Sequence, residues 1–515
     1  MKKSIIKRQA LIIFILLPVI LWGCSEGERK GTGNQIITIN NKYYQNPVLG
    51  GDYPDPSVIR VEKDFYMTHS SFNYYPGLLI WHSTDLLHWE RVCHALNKYV
   101  GSVWAPDLVK YKDTYYIYFP AGGTNWVVTA PKPEGPWSEP ADLNLKGFID
   151  PGHVVGPDGC RYLYLSEGFI IRLSEDGLST VGEPEFNYAG WEFPKSWSTE
   201  CFCLESPKST VKDGYYYLTV AEGGTAGPAT SHMVVSARAK SPLGPFENSP
   251  NNPVVHTLNR SERWWSQGHG TLVDDVEGNW WIMYHGYEKY FHTLGRQTLM
   301  LPLKWTADNW FVVPSNVTSG GDIIKPAGKI FVDGTGLSDN FSGIRPGLQW
   351  QFYKRYTPER MELADGKLIF LAQGNSFDDT TPILVNSSDQ KYEVTVEYTI
   401  DESVTAGLTL FYNELANVRI TVDTASFTFF IQKNAILSHK NTFGNHGFLR
   451  ILNDANEVSF YFSADGREWQ RVDRSIDATG YNHNVFGEFQ SLRPGIFVFG
   501  NGKALFDNFT YRKLE

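Results

Sequence analysis

The feature that most constrains this chain is a fivefold repeat. Five segments share one grammar: "KDFYMTHSS" from Lys63, "KDTYYIYFPAG" from Lys112, "DGCRYLYLSEG" from Asp158, "KDGYYYLTVAEGG" from Lys212 and "EGNWWIMYHGYE" from Glu277. Each is an acidic turn followed by an aromatic-rich strand that ends in polar or small residues. The marker acids Asp64, Asp113, Asp158, Asp213 and Glu277 lie 49, 45, 55 and 64 residues apart. After most of them a second strand follows, and a turn closes near an aromatic, as in "LIWHSTDLLHW" and "MVVSARAKSPLGPF". Multi-stranded repeats of roughly 40–50 residues describe β-propeller blades. Helical repeats of similar length do not fit a chain with 15% aromatics, 47 Gly and 28 Pro, a composition of short strands and turns. The expected class is all-β, opening with a five-bladed β-propeller.

A second regularity lies just upstream of the markers. Asp55 in "YPDPS", Asp107 in "WAPDL", Asp150 in "FIDPG", Glu205 in "LESPK" and His269 in "GHGTL" precede them by 9, 6, 8, 8 and 8 residues. Every blade thus puts one ionisable residue at a similar point of its innermost strand, and innermost strands line a propeller's channel. Turn capping accounts for one or two of these acids, Asp107 best of all, but not for the set. Asp55 is held stiffly: Pro54 and Pro56 have fixed φ and no N–H, and Pro56 biases Asp55 towards extended backbone.

Converging carboxylates at a channel mouth suit glycoside hydrolysis. One group must be neutral to protonate the leaving oxygen, and another must be ionised to activate water or attack. A third carboxylate nearby holds the acid's proton on by like-charge repulsion. A metal site is the competing reading, since oxygen ligands with His269 could hold Ca²⁺.

The motifs "YPDPSV", "WAPDL", "FIDPG", "LESPKSTVKDGYYYLTVAEGGT", "GHGTLVDDVEGNWWIMYH" and "GRQTLMLPLKW" occur in this order between about Tyr44 and Pro326. The chain resembles glycoside hydrolase family 43 through them. The resemblance implies a five-bladed propeller and exo-acting, inverting hydrolysis of xylosides or arabinofuranosides, with no cofactor for the chemistry. It also implies Asp55 as general base, Glu205 as general acid, and Asp150 as the group that raises the acid's pKa and orients it. Where the family often has Gly after that acid, this chain has Ser206. Arg296 in "LGRQT" resembles an arginine that reaches a sugar hydroxyl or an acid. Phe72 and Trp104 resemble walls of the −1 subsite. His269 resembles a residue that touches substrate or sits beside a central hydrated Ca²⁺, so a structural Ca²⁺ is a possible guest.

Past "IIKPAGKIFVDGTG" the blade grammar stops, and strands such as "YEVTVEYTI" and "EVSFYFSADGREW" alternate between Gly, Asn and Asp-rich turns. This pattern suits one antiparallel sandwich. "LSDNFSG" and "LFDNFTY" resemble the concanavalin-like jelly roll appended to some family 43 exo-enzymes, where one loop can help close the pocket. The expected divisions are a signal at 1–24, a linker at 25–43, the propeller at 44–326 and the sandwich at 327–515.

The chain begins with a basic head and an apolar run from Ala10 to Trp22, then Gly23-Cys24. The run is too short to span a membrane comfortably and reads as a secretory signal. The small residue before Cys24 resembles a bacterial lipobox, which implies export and a lipid anchor on Cys24 in the cell envelope. Cys201 and Cys203, two apart on an expected strand, would share a face and be poorly placed to bridge. A net charge of −10 without clustered Lys and Arg argues against nucleic acid. The expected partners are plant cell-wall oligosaccharides. Two other readings stay open: an enzyme of the same fold acting on arabinan in endo mode or on galactan, and a non-catalytic glycan-binding surface lipoprotein.

Overall fold

A computed structural model describes residues 42–329 and 333–515. The signal and lipobox at 1–24, and the linker up to residue 41, lie outside the described residues. No helix among those described is long and apolar enough to cross a membrane.

Five antiparallel sheets succeed one another along the first part of the chain. Their innermost strands are Ser57–Val61, Asp107–Tyr111, Gly152–Val155, Glu205–Lys212 and Trp264–Asp274. Each touches the next, and the fifth touches the first, so they close a ring around a channel. The propeller expected from the repeat is thus present. Its acidic turns are tight hairpins: Asp213 and Gly214, at φ 50° and 73°, form the two-residue link between Glu205–Lys212 and Tyr215–Glu222, as an I′ turn requires. The aromatic strands that follow do not alternate. Thr114–Ala121 is buried at all but its first position, because blades stack on both of its faces.

The ring is closed by the start of the described chain. Tyr43–Tyr44 pairs with Ile323–Ile324. Val48 N–H donates to Thr298 O at 2.9 Å, and Asn46 exchanges bonds with Met300, Nδ2 donating at 3.1 Å and Oδ1 accepting at 2.9 Å. Residues 46–53 therefore run along the fifth blade and deliver Asp55 to the channel mouth.

Two large sheets follow, seven- and eight-stranded. Their strands do alternate: Lys391–Ile400 is buried at every second residue, as expected for a sheet with one face on the core. The eight-stranded sheet does not stop at the sandwich. Its edge strand is Tyr74–Tyr75 from the first blade, paired with Phe352 and Tyr353. Phe72, Tyr74, Tyr353, Phe377, Leu384, Phe411 and Phe497 pack there as one apolar cluster. Beside it the buried Asp52 receives Arg493 at 3.5 Å, and its backbone exchanges hydrogen bonds with the Asn386 amide at 3.0 and 3.1 Å. Propeller and sandwich thus meet three residues from Asp55.

Candidate active site

The residues singled out in the sequence converge. Asp55, Phe72, Trp104, Asp150, Glu205, His269 and Arg296 all line one cavity at the channel mouth. Asp55 and Asp150 precede their innermost strands by two residues, and Glu205 is the first residue of its own. The chain bends sharply at each of these points. Asp55, Phe72, Asp150, Ser206 and His269 all have positive φ, between 50° and 63°, a region non-glycine residues seldom occupy and which clusters at functional sites.

Asp55 corrects one expectation. Its φ is 58°, left-handed rather than extended. The carboxylate's partners outweigh the bias imposed by Pro56. The Arg296 guanidinium lies 3.2 Å from Oδ1, His285 Nδ1 lies 2.9 Å from Oδ1 and accepts the Asp55 backbone N–H at 3.2 Å, and His269 Nδ1 stands 3.2 Å away. Ser70 Oγ donates to Oδ2. Burial alone would raise the pKa of this group, but Arg296, His269 and His285 together hold it well below the usual carboxylate range. Asp55 is therefore ionised.

The other two acids behave in the opposite way. Burial, reinforced by the charge on Asp55, pushes Asp150 up to about 7, although Lys208 and the Ser206 N–H oppose the rise. Burial also pushes Glu205 well above its ordinary value, with Asp150 and then Asp55 adding like-charge repulsion. Ser206 N–H donates to Asp150 Oδ2 at 3.1 Å, which ties Asp150 to the residue immediately after Glu205. The cavity thus holds one carboxylate pushed down and two carboxyls pushed up, a separation of environments that assigns base and acid.

Asp107 takes no part in the cavity. It is buried lower in the channel against Lys208 at 2.9 Å, accepts the His153 N–H at 2.7 Å and the Ser57 hydroxyl at 3.3 Å, and so ties four blades together.

Sequence reading missed several contributors. His285, which orients Asp55, sits inside the fifth repeat but was not distinguished from its aromatic neighbours; Thr225 Oγ1 lies 3.3 Å from its Nε2. Thr225 and Ile149 line the cavity too. Phe489 arrives from the sandwich, its ring 6.2 Å from Trp104 edge-on and 4.9 Å from the Arg296 guanidinium. The family resemblance suggested that some sandwich loop could reach the pocket, but nothing in "GEFQSL" marks this residue.

Asp55, His269 and His285 offer a candidate metal donor set, with ligand atoms within 4.8 Å of one another. The set does not fit direct ligation of Ca²⁺, which takes six to eight oxygens. Here two of three donors are imidazoles, and the lone carboxylate is already engaged by Arg296 and Ser70.

The cysteines give a second correction. Cys201 and Cys203 form a disulfide, with Cα atoms 5.3 Å apart. In an extended strand that separation would be about 6.6 Å. The strand begins only at Glu205, and Cys203 turns the chain at φ 45°, so the pair lies closer than an extended strand would hold it. Cys93 and Cys160 are free.

Comparison with known proteins agrees with this geometry. Residues 44–311 match Glycosyl hydrolases family 43, and residues 338–512 match the Beta xylosidase C-terminal Concanavalin A-like domain. A non-reducing-end α-L-arabinofuranosidase of Bacteroides ovatus is 27% identical over 93% of this chain and 96% of its own. A xylosidase/arabinosidase of Butyrivibrio fibrisolvens is 28% identical over 89% and 96%. The crystal structure of a family 43 protein from Bacillus licheniformis superposes with a TM-score of 0.83 at 27% identity, over 92% of this chain and 100% of that one. A chain whose propeller mouth gathers three acids, joined to this sandwich and matched over more than half its length, belongs to glycoside hydrolase family 43.

Proposed function

We propose that the chain is an exo-acting, inverting glycosidase that removes xylose or arabinofuranose from the ends of plant cell-wall oligosaccharides. Asp55 draws a proton from water as that water attacks the anomeric carbon, and Glu205 gives its proton to the departing oxygen. Asp150 keeps Glu205 protonated and fixes its position through Ser206. Arg296 holds Asp55 ionised and reaches a sugar hydroxyl, while Phe72 and Trp104 wall the −1 site. The observation that carries this reading is the convergence of three carboxyls in one cavity, Asp55 paired with Arg296 at 3.2 Å and Asp150 tied through the Ser206 N–H to the residue after Glu205. The relatives named as arabinofuranosidase and xylosidase/arabinosidase support the choice of sugars. Phe489, by narrowing the mouth, supports a pocket rather than an open groove, and hence exo action over the endo alternative. The chemistry needs no cofactor; a Ca²⁺ beside His269 would be held only through water.

The test is turnover of an aryl β-D-xylopyranoside beside an aryl α-L-arabinofuranoside, with Asp55→Asn as control. Hydrolysis of either, lost in the variant, is expected. Silence of the wild type on both would contradict the reading and favour another glycan or binding alone.

We further propose that the protein is exported and lipid-anchored through Cys24, a reading supported by the basic head, the apolar run and Gly23-Cys24. Labelling with radioactive palmitate in the producing cell should mark the wild type and not Cys24→Ser. Equal labelling of both would refute it.

A further inference from the structure

The cavity accounts for the sugar that is cleaved off but not for the residue it leaves. Because Glu205 protonates the bridging oxygen, the leaving residue must lie on the Glu205 side of the mouth, beyond the three acids. Two polar groups are carried by the segments that bring Thr225 and Phe489 to the cavity, one from each half of the molecule.

On the propeller side, residues 200–203 form a short arm immediately before Glu205. The arm is seated on the loop that carries the cavity-lining Thr225. Glu200 N–H donates to Gly223 O at 3.0 Å, Gly223 N–H to Phe202 O at 2.9 Å, and Ala226 N–H to Glu200 Oε2 at 2.8 Å. Glycine is required beneath it: a Cβ on Gly224 would meet Glu200 Oε2 at 2.6 Å and Cys201 Sγ at 2.9 Å, and one on Gly227 would meet the Glu200 Cβ at 2.5 Å. The Cys201–Cys203 disulfide closes the arm. Glu200 is solvent-exposed, and among the described residues its Oε1 accepts no hydrogen bond.

On the sandwich side, the loop that brings Phe489 to the cavity also brings His483. The two rings stack at 4.1 Å and 11°. His483 Nδ1–H donates to Glu488 O at 2.9 Å, which fixes the tautomer and leaves Nε2 as a half-exposed acceptor. Thr225, on whose loop the arm sits, and Phe489, on which His483 stacks, line the same cavity, so the arm and the loop reach one mouth.

We propose that Glu200 and His483 together form the leaving-group subsite, accepting hydroxyl hydrogen bonds from the sugar residue of an oligosaccharide that departs with the oxygen protonated by Glu205. This rests on the glycosidase reading above. A carboxylate and an imidazole acceptor held on separate, braced supports suit a polyhydroxylated ring. They have nothing to bind on an aryl leaving group. Selectivity for true oligosaccharides over aryl glycosides then resides at the junction of propeller and sandwich.

The experiment compares kcat/KM of wild type, Glu200→Gln, His483→Ala and the double variant. The substrates are the aryl glycoside the enzyme accepts and the disaccharide of the same sugar, both at a pH well below the alkaline limb so that proton loss from Glu205 does not intrude. Each single change should lower disaccharide turnover by about tenfold, the worth of a hydrogen bond to a charged or buried acceptor, with aryl glycoside turnover held within about twofold. If both groups grip one sugar, the double variant should lose less than the product of the single losses. Equal losses on the two substrates, or none on either, would overturn the subsite while the glycosidase reading stands. A wild type inactive on both would overturn the subsite together with that reading.

Discussion

At the residue scale, one cavity makes like side chains behave unlike one another. Asp55 is buried with two histidines and an arginine, and it ionises. Burial and the charge of Asp55 push Asp150 up, and burial with the charge of Asp150 pushes Glu205 up. The consequence for pH follows directly. Glu205 acts in its protonated form, so activity is lost as pH rises through its pKa. Asp150→Asn removes the like charge that helps raise that pKa. The alkaline limb of kcat/KM should therefore move to lower pH, by about one unit or more, while the acidic limb set by Asp55 stays nearly in place. A limb that does not move, or moves upward, would remove Asp150 from its modulating role. These residues were legible in the sequence because the repeat marks the start of each innermost strand, and only ionisable groups fill those places. The backbone at Asp55 was not legible. The proline that follows constrains it locally, but Arg296 and His285, more than 200 residues away, decide the outcome.

At the scale of elements, the five innermost strands hold the site by what they bury beneath it. Lys208 and Asp107 form an ion pair with side chains 4% and 8% exposed, and Lys208 Nζ also donates to Pro106 O at 2.8 Å. Breaking such a pair strands a charge in the channel, at a cost of about 3–5 kcal/mol. Lys208→Met should accordingly lower the denaturation midpoint substantially, whereas Asp107→Asn together with Lys208→Met should recover part of the loss. Chemical denaturation of both variants would measure this, and a neutral single variant would show that the pair does not hold the blades. The blades could be read from sequence because their aromatic strands repeat. The arm at 200–203 could not, since a Cys-x-Cys pair looks the same in a strand and in a turn. Only the φ of 45° at Cys203 separates them.

At the scale of the whole molecule, the sandwich completes the propeller. It shares a sheet with Tyr74–Tyr75, pairs Arg493 with Asp52 beside the catalytic segment, and sends Phe489 and His483 to the mouth. None of these contacts has a local signature, because each joins residues hundreds of positions apart whose patterns are satisfied within their own strands. A chain ending at Pro326 would expose Phe72 and Tyr74 as an apolar patch of the kind that drives association. Such a truncation should be aggregated or inactive when expressed beside the full chain. A soluble, fully active propeller would show that the sandwich is a passenger.

The central claim is single displacement by water, with Asp55 as base and Glu205 as acid. It is tested most directly by proton NMR of the first-formed sugar during hydrolysis of a β-D-xyloside, before mutarotation. The account predicts that α-xylose appears first and β-xylose only later. β-Xylose appearing first would mean that a carboxylate, not water, attacks the anomeric carbon.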